Sequence, residues 1–267
     1  MGQAYDKFPK TCVGVHQPEQ IWRDFEMFNI HINSHKQRWL KDVIDIMDCH
    51  RLEEDFCGMP DVTYDWELAQ SPTGSGIVTP VCTDMINGVL ELITEGDDDD
   101  NAELTQICEC WQMVSCYPLY GEIRFYLGDV VDSDFWFGYT QDNSWFTLPG
   151  DYAVFKKDDG DAQLDFVNDV GGAGPTTFTN MATLVNDTWY RLGIHWDGDG
   201  TIRYFLFADG NFPQTVLATG SHTTNIPTAV MTFGFGIQAG EAAAKHLFVD
   251  YVKSAQLRII ATPPTTS

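Results

Sequence analysis

Hydrophobic residues alternate with polar or small ones in run after run through the last third of the chain, separated by Gly/Asp turns. Between Trp189 and Phe207 the run W-Y-R-L-G-I-H-W leads into Asp197-Gly198-Asp199-Gly200 and then T-I-R-Y-F-L-F. Leu192, Ile194 and Trp196 fall on one side before the turn, and Ile202, Tyr204 and Leu206 on one side after it. Side chains on a strand change face with period two, so this pattern predicts a strand, a tight turn and a second strand. Asp-Gly and Gly accept the positive φ that short connections need. Further strands are predicted at Gly88–Thr94, Leu104–Met113, Glu122–Leu127, Asp134–Thr140, Tyr152–Lys157, Gln163–Val167, Val230–Ile237 and Leu247–Leu257. In Asp134–Thr140, Phe135, Phe137 and Tyr139 share one face and Trp136 takes the other.

A helical period shows only near the start. Trp39, Val43, Ile46 and Met47 recur at spacings of three and four, with Ser34 as an N-cap and Gly58 as a stop. The expected organisation is therefore an N-terminal extension over 1–60 with an amphipathic helix, a β domain over 61–260, and an exposed Pro/Thr-rich tail over 261–267. No internal repeat is visible.

Many short strands with Gly/Asp turns and little helix indicate a sandwich or barrel. The order Gly88-Val-Leu-Glu-Leu-Ile-Thr, Gly121-Glu-Ile-Arg-Phe-Tyr-Leu, Asp134-Phe-Trp-Phe-Gly-Tyr, Tyr152-Ala-Val-Phe-Lys-Lys, Asp187-Thr-Trp-Tyr-Arg-Leu-Gly-Ile-His-Trp, Phe233-Gly-Phe-Gly-Ile and Leu247-Phe-Val-Asp-Tyr-Val-Lys resembles a concanavalin A-like (lectin/glucanase) jelly roll. It is most similar to the version found in virion proteins of tailed bacteriophages, over about 61–258. The resemblance implies an all-β fold, an antiparallel jelly-roll β-sandwich with a short, partly helical N-terminal extension. It also implies a virion location on the capsid surface after synthesis in a host cytoplasm.

Charge narrows the partners. With 15 Lys and Arg against 39 Asp and Glu the formal charge is −24. Residues 1–51 are balanced, whereas Leu52–Ile123 hold sixteen acids and no Lys or Arg. Such a field repels nucleic acid and anionic lipid. No apolar run of about 18 residues is present to span a membrane, and no secretory leader is expected from the first residues. The seven cysteines (Cys12, Cys49, Cys57, Cys82, Cys108, Cys110, Cys116) are odd in number and lack paired C-x-x-C spacing. Reduced thiols, and no zinc site, are expected.

Catalytic patterns are missing. The glucanase relatives carry an E-x-D-x-x-E strand, and Glu91 and Glu95, four apart, do not reproduce it. Asp158-Asp159-Gly160-Asp161 and Asp197-Gly198-Asp199 fit no EF-hand loop and read as turns rather than calcium sites. His31 and His35 lack the glutamate of a zinc helix, and His195 is expected to be exposed. No metal and no cofactor is expected, and the chain is read as non-enzymatic. Trp136, Asp142, Asn143 and Trp145 form a glycan patch if the rings are exposed; if not, they fill a core or a subunit interface. The primary expectation is a structural virion protein that decorates or cements the capsid. Its partners would be major capsid protein and its own copies, with Trp39, Val43, Ile46 and Met47 as the capsid anchor. The alternative is a carbohydrate-binding module that adheres to host or environmental glycans.

Overall fold

The computed structural model describes residues 49–56, 60–62, 65–70, 88–141, 148, 150–208 and 216–257. Among these residues the chain forms fifteen strands in two antiparallel sheets. The seven-stranded sheet runs in the order β1 (Cys49–Glu54), β15 (His246–Leu257), β6 (Leu119–Leu127), β11 (Tyr190–Trp196), β12 (Ile202–Ala208) and β13 (Val216–His222), with β3 (Leu90–Ile93) also on β15. The eight-stranded sheet runs β10 (Thr176–Thr183), β9 (Gln163–Asp169), β8 (Tyr152–Lys157), β7 (Ser133–Thr140), β14 (Val230–Ala239), β4 (Asn101–Gln106) and β2 (Trp66–Gln70), with β5 (Trp111–Gln112) also on β14.

The alternation seen in the sequence becomes the two inner faces. Leu192, Ile194 and Trp196 on β11 and Ile202, Tyr204 and Leu206 on β12 all enter the core between the sheets. Their strands pair from Tyr190 opposite Ala208 to Trp196 opposite Ile202. From the other sheet come Phe135, Phe137, Tyr139, Phe155, Phe166, Phe233 and Phe235. Phe125 stacks on Phe135 at 4.4 Å and Phe166 on Tyr204 at 4.1 Å between ring centroids, which ties the sheets together at two points. Burial of each such side chain stabilises the fold by about 1.5–3 kcal/mol. The turn after β11 is a bend: Asp197 Oδ1 accepts from the amides of Asp199 (2.8 Å) and Thr201 (3.0 Å), and Gly198 holds φ +76°.

Some expectations are corrected. β1 is a strand in the sheet, paired with β15 from Cys49 opposite Leu257 to Glu54 opposite Val252, where the helical stripe was expected to run on toward Gly58. The stripe itself, with Trp39, Val43, Ile46 and Met47, lies outside the described residues, as does 261–267. The run expected as one strand over Leu104–Met113 breaks at Ile107–Cys110 into β4 and β5. Cys116 is disulfide-bonded, against the expectation of reduced thiols, while Cys108 and Cys110 are free.

On the outer face of the seven-stranded sheet a polar cluster around Glu122 is closed to solvent. Glu122 on β6 is 1% exposed and Arg191 on β11 is 7% exposed. Tyr251 Oη donates to Glu122 Oε1 at 2.5 Å, Tyr120 Oη donates to Oε2, and Arg191 Nε lies 3.6 Å from Oε1. Burial and the Glu122 carboxylate push both phenols well above the ordinary tyrosine pKa, so they remain donors. The Arg191 guanidinium lies over the Phe207 ring at 4.6 Å.

His195 stands on the same face and is 6% exposed, in contrast to the solvent exposure expected from its strand position. Burial, with Arg203 adding repulsion against a weaker pull from Asp197, lowers its pKa to about 4. An unfolded histidine titrates near 6.5, so the unfolded chain binds the proton first as pH falls. The stability gained from a neutral His195 is complete above about pH 6.5 and is lost as pH falls through about 4, on the order of 3 kcal/mol in all. Urea melts of the protein and of His195→Gln at pH 7 and pH 4.5 check this. The variant is expected to lose less stability over that interval.

Candidate functional site

Three connections leave the eight-stranded sheet and its neighbour at one end. Thr140 pairs with Tyr152, Tyr152 with Asp169, and Asn168 with Thr176, so loop 141–151 and turn 170–175 start from adjacent strand ends. Segment 223–229 joins them, because it links His222, the last residue of β13, to Val230, the first of β14.

Asp151 gathers all three. It is 4% exposed, and its Oδ1 accepts from the Gly171 amide at 2.7 Å. Its Oδ2 accepts from the amides of Thr228 (2.6 Å) and Ala229 (2.8 Å). The Asp151 backbone closes the base of its own loop, with Gln141 N donating to Asp151 O at 2.8 Å and Asp151 N to Gln141 Oε1 at 3.3 Å. Charge-assisted bonds to backbone amides are the stronger kind, and three on one carboxylate fix the relative positions of the segments that supply them.

Asn168 makes a second clasp. Its side-chain amide donates to the carbonyls of Thr224 (2.8 Å) and Asn225 (2.7 Å). Its Oδ1 is therefore the acceptor for His222 Nδ1 at 2.5 Å, which assigns the proton to that nitrogen. Burial lowers the His222 pKa, so the ring is neutral at pH 7. Asn225, at φ +51°, reaches back to the Gly174 carbonyl at 2.6 Å. Gly171, Gly172 and Gly174 all hold positive φ (59°, 72°, 108°), the conformations that let the 170–175 turn fold tightly. Among the described residues the rim around these clasps is hydroxyl-rich: Thr177, Thr223, Thr224 and Thr228 are exposed. Asp151→Asn is expected to cost about 2–4 kcal/mol, since a charged acceptor of three bonds is replaced. Amide hydrogen exchange at Gly171, Thr228 and Ala229 should speed up in that variant; unchanged exchange would contradict the clasp.

Of the predicted glycan residues, Trp136 lies on the outer face of the eight-stranded sheet and is 1% exposed. It forms a cluster with Tyr152, Val154 and Val167, and Leu148 of loop 141–151 packs on that cluster. Its indole sits beside Gly236, where a Cβ would fall 2.6 Å from Trp136 Nε1. Trp136 is thus part of a small apolar cluster that Leu148 covers, separate from the main core. Asp142, Asn143 and Trp145 belong to the same loop by sequence and lie outside the described residues. Sequence reasoning missed Asp151, Asn168 and Asn225; Pro149-Gly150 before Asp151 was the local turn signal.

Several acidic groups elsewhere have structural partners. Asp129, Asp132 and Glu241 place ligand atoms within 4.8 Å of one another, but the Lys245 ammonium sits among them at 2.7 Å from both Asp129 and Glu241. Asp161 Oδ1 accepts from Gln163 N (2.7 Å) and Asp134 Oδ1 from Asp159 N (2.8 Å), so Asp158–Asp161 is a hydrogen-bonded turn. Glu91 is held by His246 Nδ1 at 2.7 Å on the outer face of the seven-stranded sheet. His50 Nε2 lies 3.0 Å from Cys110 Sγ, and burial pushes that thiol up to about 12, well away from a reactive thiolate.

Two antiparallel sheets packed face to face, with polar loops clasped at one end, define a concanavalin A-like jelly-roll sandwich. A family model described as SO2946-like, C-terminal domain, matches residues 137–250. Among solved structures the chain is similar to SO2946, a protein of unknown function from Shewanella oneidensis MR-1, at 13% identity over 87% of this chain and 98% of that one, with a TM-score of 0.58. It is similar to peanut lectin bound to a nine-residue peptide, at 10% identity over 80% and 99%, TM-score 0.54. It is also similar to lectin I of Ulex europaeus in complex with the methyl glycoside of α-L-fucose, at 13% identity over 78% and 98%, TM-score 0.51. Comparison with curated proteins gives no sequence match.

Proposed function

We propose that this protein is a non-catalytic carbohydrate-binding β-sandwich whose glycan site is the loop rim clasped by Asp151. The observation that carries the reading is the clasp: one buried carboxylate, at the base of loop 141–151, ties turn 170–175 to segment 223–229, whose exposed threonines present hydroxyls at one end of the sheet. Loops fixed before binding lose little entropy when a flexible, hydroxylated ligand docks. Loop 141–151 carries Asp142, Asn143 and Trp145, residue types that hydrogen-bond sugar hydroxyls and stack on the apolar face of a pyranose. The shared fold with lectins, one of them bound to a fucoside, supports the reading at the level of architecture. Fold by itself does not confer function, so the site must carry the argument.

The virion reading draws on the sequence resemblance alone. Nothing in the comparisons links the chain to capsid protein, and its proposed anchor of Trp39, Val43, Ile46 and Met47 lies outside the described residues. Display on a virion is compatible with glycan binding and adds a location to it. A glycan array tests the proposal: reproducible binding, weakened about tenfold or more (~1.4 kcal/mol) by Trp145→Ala with the fold intact, is expected. Absence of binding to every glycan would sink it.

A further inference from the structure

We infer that the protein forms a two-fold dimer by pairing β13 with β13 of a second copy, edge to edge, so that the seven-stranded sheet runs on through both chains; this stands apart from the carbohydrate reading. An unpaired strand edge offers a row of N–H and C=O groups to any other edge, and proteins blunt such edges with charge, proline or a bulge. Among the described residues the other edges longer than two residues are blunted. β1 carries Arg51, Glu53 and Glu54, β3 carries Glu91 and β2 carries Glu67. β10 is broken by a bulge between Phe178 and Ala182, with Asn180 at φ +54° and its amide donating to Asp165 Oδ1 at 2.7 Å. β13 has none of these over Ala218–His222, where its register on β12 is unbroken from Leu206 opposite Ala218 to Ile202 opposite His222. Its register shift lies before that, between Val216 and Ala218.

The surroundings of β13 suit contact with a like surface. Residues 170–186 and 216–240 contain no Asp, Glu, Lys or Arg, in a chain of net −24 with 20% charged residues. Thr219 and Ser221 are exposed on β13, Val216 and Leu217 at its start are 51% and 48% exposed, and Phe178 on β10 is 41% exposed. The two edges border one ring: the Phe178 and Tyr204 centroids are 5.9 Å apart, and a Cβ on Gly220 would fall 2.5 Å from Tyr204. Depletion of charge is the mark of an interface centre. A second copy matches both features. An antiparallel edge is its own complement about a two-fold axis, and the copy brings the same uncharged strip. Two chains of this charge repel over the rest of their surfaces, so contact is confined to a strip where neither brings charge. Antiparallel pairing also sets the two rims at opposite ends of the joined sheet, since His222 leads into segment 223–229.

Sedimentation velocity of the full chain between about 1 and 100 μM, at about 20 mM and 500 mM salt, tests the dimer. A monomer–dimer equilibrium that tightens about threefold or more at the higher salt is expected, because salt screens repulsion between two anions and leaves backbone pairing in place. Thr219→Lys with Ser221→Lys sets like charges across the two-fold axis and is expected to give monomer throughout, with an unchanged melting midpoint. The unaltered protein supplies an independent readout: amide exchange over Ala218–His222 is expected to slow about threefold or more across the same concentration range, while exchange in β1 and β2 stays the same. Where the lysine variant does not fold, the exchange measurement decides alone. Monomer at about 100 μM in high salt overturns the inference. A dimer that survives in the folded lysine variant, or that forms with β13 exchange unchanged, also overturns it, since the contact would lie elsewhere. A dimer that loosens as salt rises overturns it too, since the contact would then be ionic. None of these outcomes bears on glycan binding.

Discussion

Gly138→Ala is expected to destabilise the sandwich by about 3–5 kcal/mol, adding a strained φ to an overpacked site, and to leave little folded protein at 37 °C. Gly138 sits mid-strand in β7, between Val154 of β8 and Gly234 of β14, at φ +149°. A Cβ there would fall on the Ala153 carbonyl oxygen, 2.9 Å from Val154 Cα and 3.1 Å from Ile194 Cδ1. Two of those three atoms are backbone of a hydrogen-bonded neighbour strand and cannot swing away. Gly193 is the control: it also sits mid-strand, in β11, but a Cβ would meet nothing nearer than 3.4 Å. Gly193→Ala should therefore stay within about 1 kcal/mol of the unaltered protein and can gain slightly from a stiffer unfolded chain. Chemical denaturation of both variants checks the contrast; similar stabilities would contradict the backbone geometry of β7.

Glu122→Gln is expected to cost about 3–5 kcal/mol, since it leaves the Arg191 guanidinium buried without its counter-charge. The side chain also loses acceptor strength toward two buried phenols, Tyr120 and Tyr251. The double variant Glu122→Leu with Arg191→Met, made in a Tyr120→Phe, Tyr251→Phe background so that no phenol is left without its acceptor, is expected to recover most of the loss, since replacing a buried pair by apolar side chains of similar volume is often near neutral. Denaturant midpoints of the single and double variants separate the two explanations. A double variant as unstable as the single one would mean that shape, not charge pairing, holds this face together.

The strongest strands were legible because one face of each is buried. In β12, Ile202, Tyr204 and Leu206 are buried while Arg203 between them is exposed, which is the alternation that marked the hairpin. β10 and β13 were not legible for the same reason in reverse. They are sheet edges with mostly exposed side chains, such as Thr177-Phe178-Thr179-Asn180 and Val216-Leu217, so no alternation marks them. β1 carries one core-packed residue, Leu52, and its neighbourhood was dominated by a helical stripe. His195 reads as solvent-facing by strand phase, and only the side chains converging from neighbouring strands reveal its burial and that of Glu122. The clasp was beyond local reading: Asp151 takes its bonds from residues 20, 77 and 78 positions away. The aromatic and amide residues of loop 141–151 were visible as chemistry, but the cluster of Trp136 with Tyr152, Val154 and Val167, on which Leu148 packs, needed the sheet.

Titration of the array's best oligosaccharide into isotopically labelled protein, followed by backbone amide chemical shifts, tests the central claim most directly. Saturable shifts are expected to concentrate in loop 141–151, turn 170–175 and segment 223–229, with Gly171, Thr228 and Ala229 among them. Saturable shifts confined to the outer face of the seven-stranded sheet, around Tyr126, Trp189 and Phe248, would contradict it.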